Sequence, residues 1–371
     1  MPIQLLIPGL LWPSASLVGP ASGLALPGLE RLLGLGRWRI GAPEALDRRL
    51  ARCFGLPPAT AGAPLPLAAL RRLGEAGEHP RDPAQGADAD AFWLCADPVN
   101  LSFAREHLLL NGFAEDELDA AEAAELVAAL DEVFAGLGRF EACAPTRWYL
   151  RLAAPTRVDL YPLDDVVGRP VKHFLPEGED ARQWQRTMNE AQIVLHNHRL
   201  NRRREEAGRR AVNSLWLWGA GALGTAPRAP AAAVHAVDPL GAGLARAAGL
   251  EPTPPQLETA LRSDTLVLLD TLHRAAQQRD VNAWRSGLET LERDWFAPLA
   301  AALGGGTLDA LHLSAPGDRG TLELDVRARD RWKFWRKPYA FGTLLETLAP
   351  LPDPPLPAPP LSDAPSTAAS R

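Results

Sequence analysis

The sequence predicts an α/β fold in which a mainly parallel sheet carries helices on both faces. Short apolar runs alternate with stretches of helical periodicity, which is the pattern of parallel strands joined by crossover helices. The chain of 371 residues is 46% hydrophobic and 23% charged. This composition is typical of a globular protein that buries one large core or two smaller ones.

Periodicity and turn residues set the expected elements. Strands are expected at 3–7, 91–96, 139–143, 147–152, 213–218, 232–237, 265–269 and 309–313. Helices are expected at 27–34, 44–54, 65–74, 116–136, 181–198, 239–249, 255–262 and 281–302. On the helix at 181–198, one face carries Trp184, Met188, Ala191 and Leu195, a spacing that predicts core packing.

The chain divides into four expected parts. Residues 1–96 and 179–348 form the two parts of the core, and 97–178 form an inserted α+β subdomain of short strands and one helix. The polar, turn-rich residues 76–90 are typical of a loop or linker. Residues 349–371 are rich in Pro, Ala and Ser and predict an extended, disordered tail.

Charge and cysteine content narrow the classes of partner and compartment. A net charge of -6 argues against a general binder of nucleic acid or anionic membranes. Cys53, Cys95 and Cys143 are odd in number and show no C-x-x-C spacing, so neither a disulfide framework nor a zinc site is indicated. The apolar N-terminal segment is interrupted by prolines and lacks a basic region. A cytoplasmic protein without a membrane partner is expected.

A glycine motif raises the question of dinucleotide binding. Three glycines follow the strand at 213–218 with the spacing G-x-G-x-x-G, namely Gly219, Gly221 and Gly224. Asp238 ends the next strand, as in a dinucleotide fingerprint. The fingerprint also needs a helix after the glycines, and the intervening segment is short and holds Pro227 and Pro230. The sequence therefore predicts another backbone use for these glycines.

A resemblance to a known family begins just before this motif. The run "HNHRLNRRREEAGRRAVNSLWLWGAG" resembles the pattern H-P-x-N-x-x-R-x-x-x-G-x-x-x-A-N, followed by a strand and glycine turn, of archaeal-type cofactor-independent phosphoglycerate mutases. The matching positions are His198, Asn201, Arg204, Gly208 and Asn213, and upstream Asp165, Gly168, Pro176 and Gly178. "VHAVDPLGAGLARAAGLE" resembles the family's next strand, turn and helix.

A closer resemblance, over most of the chain, is to RpfE-type regulatory proteins, which are described as phosphoglycerate mutase-like. It is carried by "FWLCADPVNL", "RWYL", "MNEAQIVLHNHRLN", "VNSLWLWGAG" and "RWKFWRK". These resemblances imply an alkaline-phosphatase-like three-layer α/β/α sandwich with an inserted α+β subdomain. For an active mutase they also imply a Ser nucleophile and two divalent metals, Mn or Mg.

The metal positions that the mutase resemblance implies are only partly kept. Pro8 stands where the family has a ligating Asp, and proline has no ligating side chain. Asp270 matches the first carboxylate of D-x-x-x-H, but His273 comes one residue early. The later Asp-His pair has no counterpart, since Asp318 is followed by Arg319. Because two-metal chemistry needs several converging ligands, no bound metal is expected, with Asp270 and His273 as remnants.

Candidate ligand-binding residues follow from the same comparison: Asn201, Arg204, Asn213, Asp270 and His273. The catalytic residues are unknown, because Ser14, Ser16 and Ser102 are nucleophile candidates by position alone. Arg204 belongs to the arginine-rich run 199–210. Both a phosphate-binding and a structural part remain open for it.

We therefore expect a mutase-like protein of RpfE type, degenerate at the two-metal site, that binds a phosphorylated metabolite or a protein partner. The alternative is an active cofactor-independent phosphoglycerate mutase or a related metal-dependent phosphotransferase. "DRWKFWRKPY" at 330–339 allows two interpretations, a surface for a partner or ordinary packing with exposed cations. Nucleic acid is disfavoured as that partner by the net charge.

Overall fold

A computed structural model describes residues 1–13, 19–58, 64–75, 91–104, 107–333 and 335–348. The expected linker at 76–90, the expected tail at 349–371 and the candidates Ser14 and Ser16 lie outside the described residues. No helix within the described ranges combines the length and the apolar character needed to cross a membrane.

The strands are β1 Pro2–Leu6, β2 Arg37–Gly41, β3 Trp93–Ala104, β4 His107–Gly112, β5 Gly138–Ala144, β6 Arg147–Leu152, β7 Ser214–Gly221, β8 Ala233–His235, β9 Thr265–Leu268, β10 Ala310–Ala315 and β11 Thr321–Arg327. The helices are α1 Pro27–Leu35, α2 Leu46–Cys53, α3 Leu67–Gly74, α4 Ala120–Phe134, α5 Leu163–Val166, α6 Ala181–Asn197, α7 Arg199–Glu206, α8 Pro239–Ala247, α9 Leu257–Ala260, α10 His273–Gln277, α11 Val281–Leu291, α12 Ala297–Gly305 and α13 Phe341–Glu346.

The first sheet has the order β2-β11-β10-β1-β9-β8. Its central strands β10, β1, β9 and β8 pair in parallel, and β11 and β2 extend it in antiparallel fashion. In β1, Ile3, Leu5 and Leu6 are buried, Gln4 is half-buried and Pro2 is exposed, which fits the largely apolar run "PIQLL". The predicted mixed α/β fold with a mainly parallel sheet is confirmed.

The second sheet is antiparallel and has the order β4-β3-β6-β5, with β7 also paired to β3. Helices α2, α3 and α8 pack between the two sheets. Helices α1, α11, α12 and α13 cover the outer face of the first sheet, and α4 and α6 cover the outer face of the second. The molecule is thus layered, with one helical layer shared by both sheets.

Strand β7 is a correction to the sequence analysis, which assigned 213–218 to the parallel sheet. It pairs antiparallel with β3, from Val99↔Ser214 to Trp93↔Gly221. All eight of its residues are buried, so it lacks the polar alternation that marks an ordinary antiparallel strand. The second sheet therefore draws on residues 93–221, a wider range than the 97–178 expected for the inserted subdomain.

Two glycines of the motif lie at the end of β7 and serve helix packing. A Cβ on Gly221 would lie 2.7 Å from Pro66 Cβ, and one on Gly219 would lie 3.0 Å from the backbone nitrogen of Ala68. Both glycines thus let the start of α3 approach the end of β7. The element after Gly224 is β8 and not a helix, so the helix that a dinucleotide fingerprint requires is absent from this described segment.

The long helix expected at 281–302 contains a π-helical turn at Glu292–Phe296 between α11 and α12. Pro298 lies in the first turn of α12 and has no backbone N–H to donate, which favours this irregularity. The turn directs the buried Glu292 carboxylate towards the start of α1. There it accepts hydrogen bonds from the backbone nitrogens of Gly28 and Leu29, at 2.6 and 3.1 Å.

Candidate functional site

A cleft with a volume of about 420 Å³ lies at the carboxyl edge of the parallel strands. Pro8 and Gly9 follow β1, and residues 316–318 follow β10. His273, the first residue of α10, completes this side of the cleft after β9. Crevices at the carboxyl ends of parallel strands are the usual ligand sites of open α/β sheets. The volume also falls within the range of roughly 300–1,000 Å³ typical of small-molecule pockets.

The opposite wall comes from segments that pack against the first sheet. Asn111 and Gly112 end β4, and Asp164 and Asp165 lie on α5. Residues 44–46 at the start of α2 complete this wall. The cleft is therefore formed where the two sheets and the helices between them meet.

Gly9 fixes the floor of the cleft. Its φ is +78°, and a Cβ there would lie 2.6 Å from the carbonyl oxygen of Leu272 and 2.9 Å from His273 Cα. Only glycine fits both this backbone conformation and this space. The close approach ties the end of β1 to the start of α10, so His273 is placed by the turn that contains Pro8.

His273 and Asp164 form an ion pair across the cleft. His273 Nε2 lies 2.8 Å from Asp164 Oδ2. The pKa of His273 is raised above its usual value. Burial acts to lower this pKa, but the negative charge of Asp164 and its hydrogen bond to His273 outweigh burial. The pKa of Asp164 is lowered from its usual value. Burial acts to raise this pKa, but protonated His273 and a hydrogen bond from Gln277 outweigh burial.

Asp165, beside Asp164, has the opposite electrostatic character. Burial, followed by the negative charges of Asp47 and Asp164, raises the pKa of Asp165 to about 6. No hydrogen bond or ion pair joins its carboxylate to another described residue. The sequence analysis noted Asp165 only as a family match and missed Asp164; two adjacent acids before Gly168 were the available signal.

Asp270 follows β9 and is not among the described residues that line the cleft. Burial is the main cause that raises its pKa, and nearby His273 acts in the other direction. Asp238 is close enough to interact with both groups, but its carboxylate accepts a hydrogen bond from Gly241 and caps α8. Of the two residues expected as remnants of a metal site, His273 therefore lines the cleft and Asp270 does not.

The cations of the cleft differ in their partners. Arg169 forms an ion pair with Asp318 at 2.7 Å. Arg210 forms one with Glu117, also at 2.7 Å, and donates to the carbonyl of Gly112. The guanidinium of Arg279 has no hydrogen-bond or ion-pair partner among the described residues. The sequence analysis missed Arg279, for which the sequence gives no signal.

Asn201, Arg204 and Asn213 lie away from the cleft. Asn201 is buried and bridges Leu195 and Val212 through three hydrogen bonds. Asn213 donates to and accepts from the backbone of Leu101, and so ties the start of β7 to β3. These contacts are structural. Direct ligand binding by the two asparagines stays a prediction.

Arg204 is 2% exposed and is held by three protein acceptors. It pairs with Glu122 at 2.6 Å and donates to the carbonyl oxygens of Arg210 and Glu117. Arg209 reaches the same Glu122 carboxylate, at 2.8 Å. A shallow hollow of about 250 Å³ adjoins this cluster. A ligand role for Arg204 stays a prediction, since the contacts seen are those of a structural ion pair.

The donor atoms at the cleft do not fit a two-metal centre within the described residues. Pro8 offers no ligating side chain after β1, and His273 Nε2 is engaged by Asp164. The described ranges contain no group of three or more His, Cys, Asp or Glu placed to hold a metal ion. Ser102 is exposed on β3, and its hydroxyl accepts from Asn111 Nδ2 at 2.9 Å without a neighbouring base.

The segment at 330–339 is partly exposed. Trp332 and Trp335 are 67% and 68% exposed. Lys333 forms an ion pair with Asp330 at 2.6 Å, and Arg331 lies 5.0 Å from the ring centre of Trp332. Both interpretations of this segment, as a partner surface and as packing with exposed cations, stay open.

Comparison with known proteins places the similarity in the second sheet and the adjoining helices. The family model of 2,3-bisphosphoglycerate-independent phosphoglycerate mutase matches residues 97–201. The probable 2,3-bisphosphoglycerate-independent phosphoglycerate mutase of Geobacter sulfurreducens is 35% identical over 134 residues, which are 35% of this chain and 32% of that protein. The 2,3-bisphosphoglycerate-independent phosphoglycerate mutase 2 of Methanothermobacter thermautotrophicus is 34% identical over 137 residues, 36% of this chain and 33% of that protein. The similarity thus spans about a third of the length of these curated relatives.

Among solved structures, the cofactor-independent phosphoglycerate mutase from Thermoplasma acidophilum superimposes with a TM-score of 0.45 at 16% identity, over 88% of this chain and 89% of that one. The PH0037 protein from Pyrococcus horikoshii gives a TM-score of 0.48 at 16% identity, over 88% and 87%. The resemblance to 2,3-bisphosphoglycerate-independent phosphoglycerate mutases rests on the family-model match to residues 97–201 and on the sequence relatives.

Proposed function

We propose that this chain is a phosphoglycerate mutase-like binding protein of RpfE type, with an alkaline-phosphatase-like core, that holds a phosphorylated metabolite in the cleft. In this proposal it does not carry out two-metal phosphoryl transfer. The observation that carries the proposal is the chemistry at the carboxyl edge of the parallel strands. Pro8 stands at the end of β1, and the nearest imidazole, His273, already pairs with Asp164.

The family match covers part of one wall of the cleft. The matched residues 97–201 include Asp164 and Asp165. They do not include Pro8, Asp270 or His273, which lie at the ends of the parallel strands. The family-model match therefore includes the part of the cleft wall that carries Asp164 and Asp165.

The cleft offers what a phosphorylated metabolite needs for binding without metal. The guanidinium of Arg279 can donate two parallel hydrogen bonds to phosphate oxygens. Protonated His273 adds a second positive charge, although Asp164 already neutralises it.

A direct experiment is to incubate the purified protein with 3-phosphoglycerate and Mn²⁺, follow the phosphorus NMR spectrum, and measure protein-bound metal by mass spectrometry. The proposal expects no 2-phosphoglycerate and less than one metal ion per chain. A Pro8→Asp variant is a matched test, because it restores a carboxylate at the end of β1. Formation of 2-phosphoglycerate by the wild type together with stoichiometric metal would overturn the proposal.

An active mutase is the second candidate, and a specific observation favours it. The relatives that align over more than 130 residues are themselves named as phosphoglycerate mutases. For this chain to act in the same way, it would need metal ligands besides Asp270 and His273. It would also need a serine nucleophile, for which Ser14, Ser16 and Ser102 are the candidates. The same assay separates the two candidates, since the active enzyme requires Mn²⁺-dependent product.

A further inference from the structure

Arg279 holds an unusual backbone position at the edge of the cleft. Its φ is 57°, and it is the one described non-glycine residue with a positive φ. The backbone nitrogen of Asp280 donates to Ala275 at 2.9 Å and that of Arg279 donates to Ala276 at 3.1 Å. These two bonds are the pattern of a helix C-terminus closed by a left-handed residue, a position that glycine normally occupies.

An arginine at this position costs stability that glycine would not. A strained residue that lines a cleft is a reason to look for a function of its side chain. The other two guanidinium groups at the cleft are paired, Arg169 with Asp318 and Arg210 with Glu117. Within the described residues, Arg279 is thus the cleft arginine whose charge is not neutralised by a carboxylate.

The acids of the cleft show the complementary pattern. Asp164 pairs with His273, Asp318 with Arg169, and Glu44 with Arg52 at 2.6 Å. Asp165 has no such partner among the described residues. The cleft therefore presents one unpaired guanidinium and one unpaired carboxyl group to a ligand.

We infer that the cleft binds a phosphate ester whose remaining polar groups are hydroxyls, with the phosphate on Arg279 and a hydroxyl donating to Asp165. This inference rests on the proposed function and narrows its ligand class. A second anionic group on the ligand, such as the carboxylate of phosphoglycerate, would face Asp165 and be repelled. Hydroxyl groups, as in a polyol or sugar phosphate, donate to that carboxylate instead.

The test is isothermal titration calorimetry of the full chain at pH 7.5 with glycerol 3-phosphate, 3-phosphoglycerate, inorganic phosphate and glycerol. We expect glycerol 3-phosphate to bind more tightly than 3-phosphoglycerate, and glycerol not to bind. Asp165→Asn keeps a hydrogen-bond acceptor but removes the charge. It should therefore raise the affinity for 3-phosphoglycerate relative to that for glycerol 3-phosphate.

Arg279→Gly separates binding from folding. The variant should bind glycerol 3-phosphate about 10- to 100-fold more weakly, the loss expected for a charged hydrogen-bonding partner. Its melting temperature should rise by about 1–3 °C, because glycine relieves the left-handed strain. Arg274→Ala is the matched control, since Arg274 lies on α10, the helix that Arg279 closes, is exposed and does not line the cleft.

Each outcome supports or overturns the inference. If the wild type binds none of the phosphate compounds, both the proposed function and the inference fail. If it binds 3-phosphoglycerate more tightly than glycerol 3-phosphate, or if Arg279→Gly binds as the wild type does, the inference fails while phosphate binding stands. Weakened binding in Arg274→Ala equal to that in Arg279→Gly would also overturn it, because general charge would then explain the effect.

Discussion

Arg204 is the residue at which a family motif and a structural network coincide. Its guanidinium joins α7 to Glu122 at the start of α4 and to the backbone at Glu117 and Arg210. The motif position was visible in the sequence, but its partners are 82 and 87 residues away along the chain. Sequence spacing could therefore identify Arg204 as important and could not decide what it contacts.

Replacement of Arg204 by Met tests the structural part. The change leaves Arg209 as the ion-pair partner of Glu122 and removes two further hydrogen bonds, so we expect a loss of about 3 kcal/mol in the free energy of unfolding. Urea denaturation measures this. Arg203→Ala is the control, since Arg203 is 59% exposed and pairs only at the surface, and it should cost less than about 1 kcal/mol. Equal effects of the two changes would contradict the network.

The pair of His273 and Asp164 predicts a pH dependence of stability. The raised pKa of His273 means that its contribution is complete below its unfolded value of 6.5 and is lost as the pH rises through the folded value. The lowered pKa of Asp164 means that its contribution is present above 3.8 and is lost as the pH falls through the folded value. The pair therefore stabilises the fold most between these two unfolded values.

His273→Gln should flatten the decrease in unfolding free energy between pH 6 and pH 8.5, because the titrating imidazole is gone. Urea denaturation across this range is the measurement. His196→Gln removes an exposed imidazole from α6 and should leave the decrease unchanged. If the unfolding free energies of the wild type and His273→Gln decreased in parallel with pH, the ion pair would not be the source of the pH dependence.

At the scale of elements, the contact between α3 and β7 explains the glycine motif. Gly221 lies against Pro66 at the start of α3, whereas a Cβ on Gly224 would meet no atom within 4 Å. The glycine spacing of the motif was visible in the sequence, but the close approach of α3 to β7 was not. Only the prolines after Gly224 indicated that the dinucleotide interpretation lacked its helix.

Gly221→Ala should destabilise the protein by about 1–3 kcal/mol, because the new methyl group overlaps the Pro66 ring and forces α3 away from β7. Gly224→Ala should change stability by less than about 0.5 kcal/mol, as for other open surface positions. Thermal and urea unfolding of both variants make the comparison. A similar loss in both would mean that packing against α3 is not the reason for glycine.

Prediction of the elements succeeded where the periodicity was strong. It failed where strand pairing determined the sheet to which a strand belongs. The helix expected at 181–198 is α6, and Trp184, Ala191 and Leu195 of its predicted face are buried. Strand β7 was placed in the wrong sheet, because a strand buried on both faces reads the same in parallel and antiparallel sheets. The π-helical turn inside 281–302 was also missed, although Pro298 lay within the predicted helix.

For the whole molecule, two sheets sharing a helical layer create the cleft. The segments after β1 and β9 contribute Pro8 and His273, and α5 contributes Asp164 and Asp165. The sequence could place Pro8 and His273 at this edge, because each follows a predicted strand. It could not show that α5 lies opposite them, since no local pattern specifies contacts between segments 109 residues apart.

The central claim is that the cleft binds a phosphate ester without a two-metal centre. Calorimetric titration of glycerol 3-phosphate into the wild type in EDTA, and again with excess Mn²⁺, tests it most directly. We predict the same affinity in both conditions, because Arg279 and Asp165 carry the binding. Binding that is absent in EDTA and restored by Mn²⁺ would contradict the account.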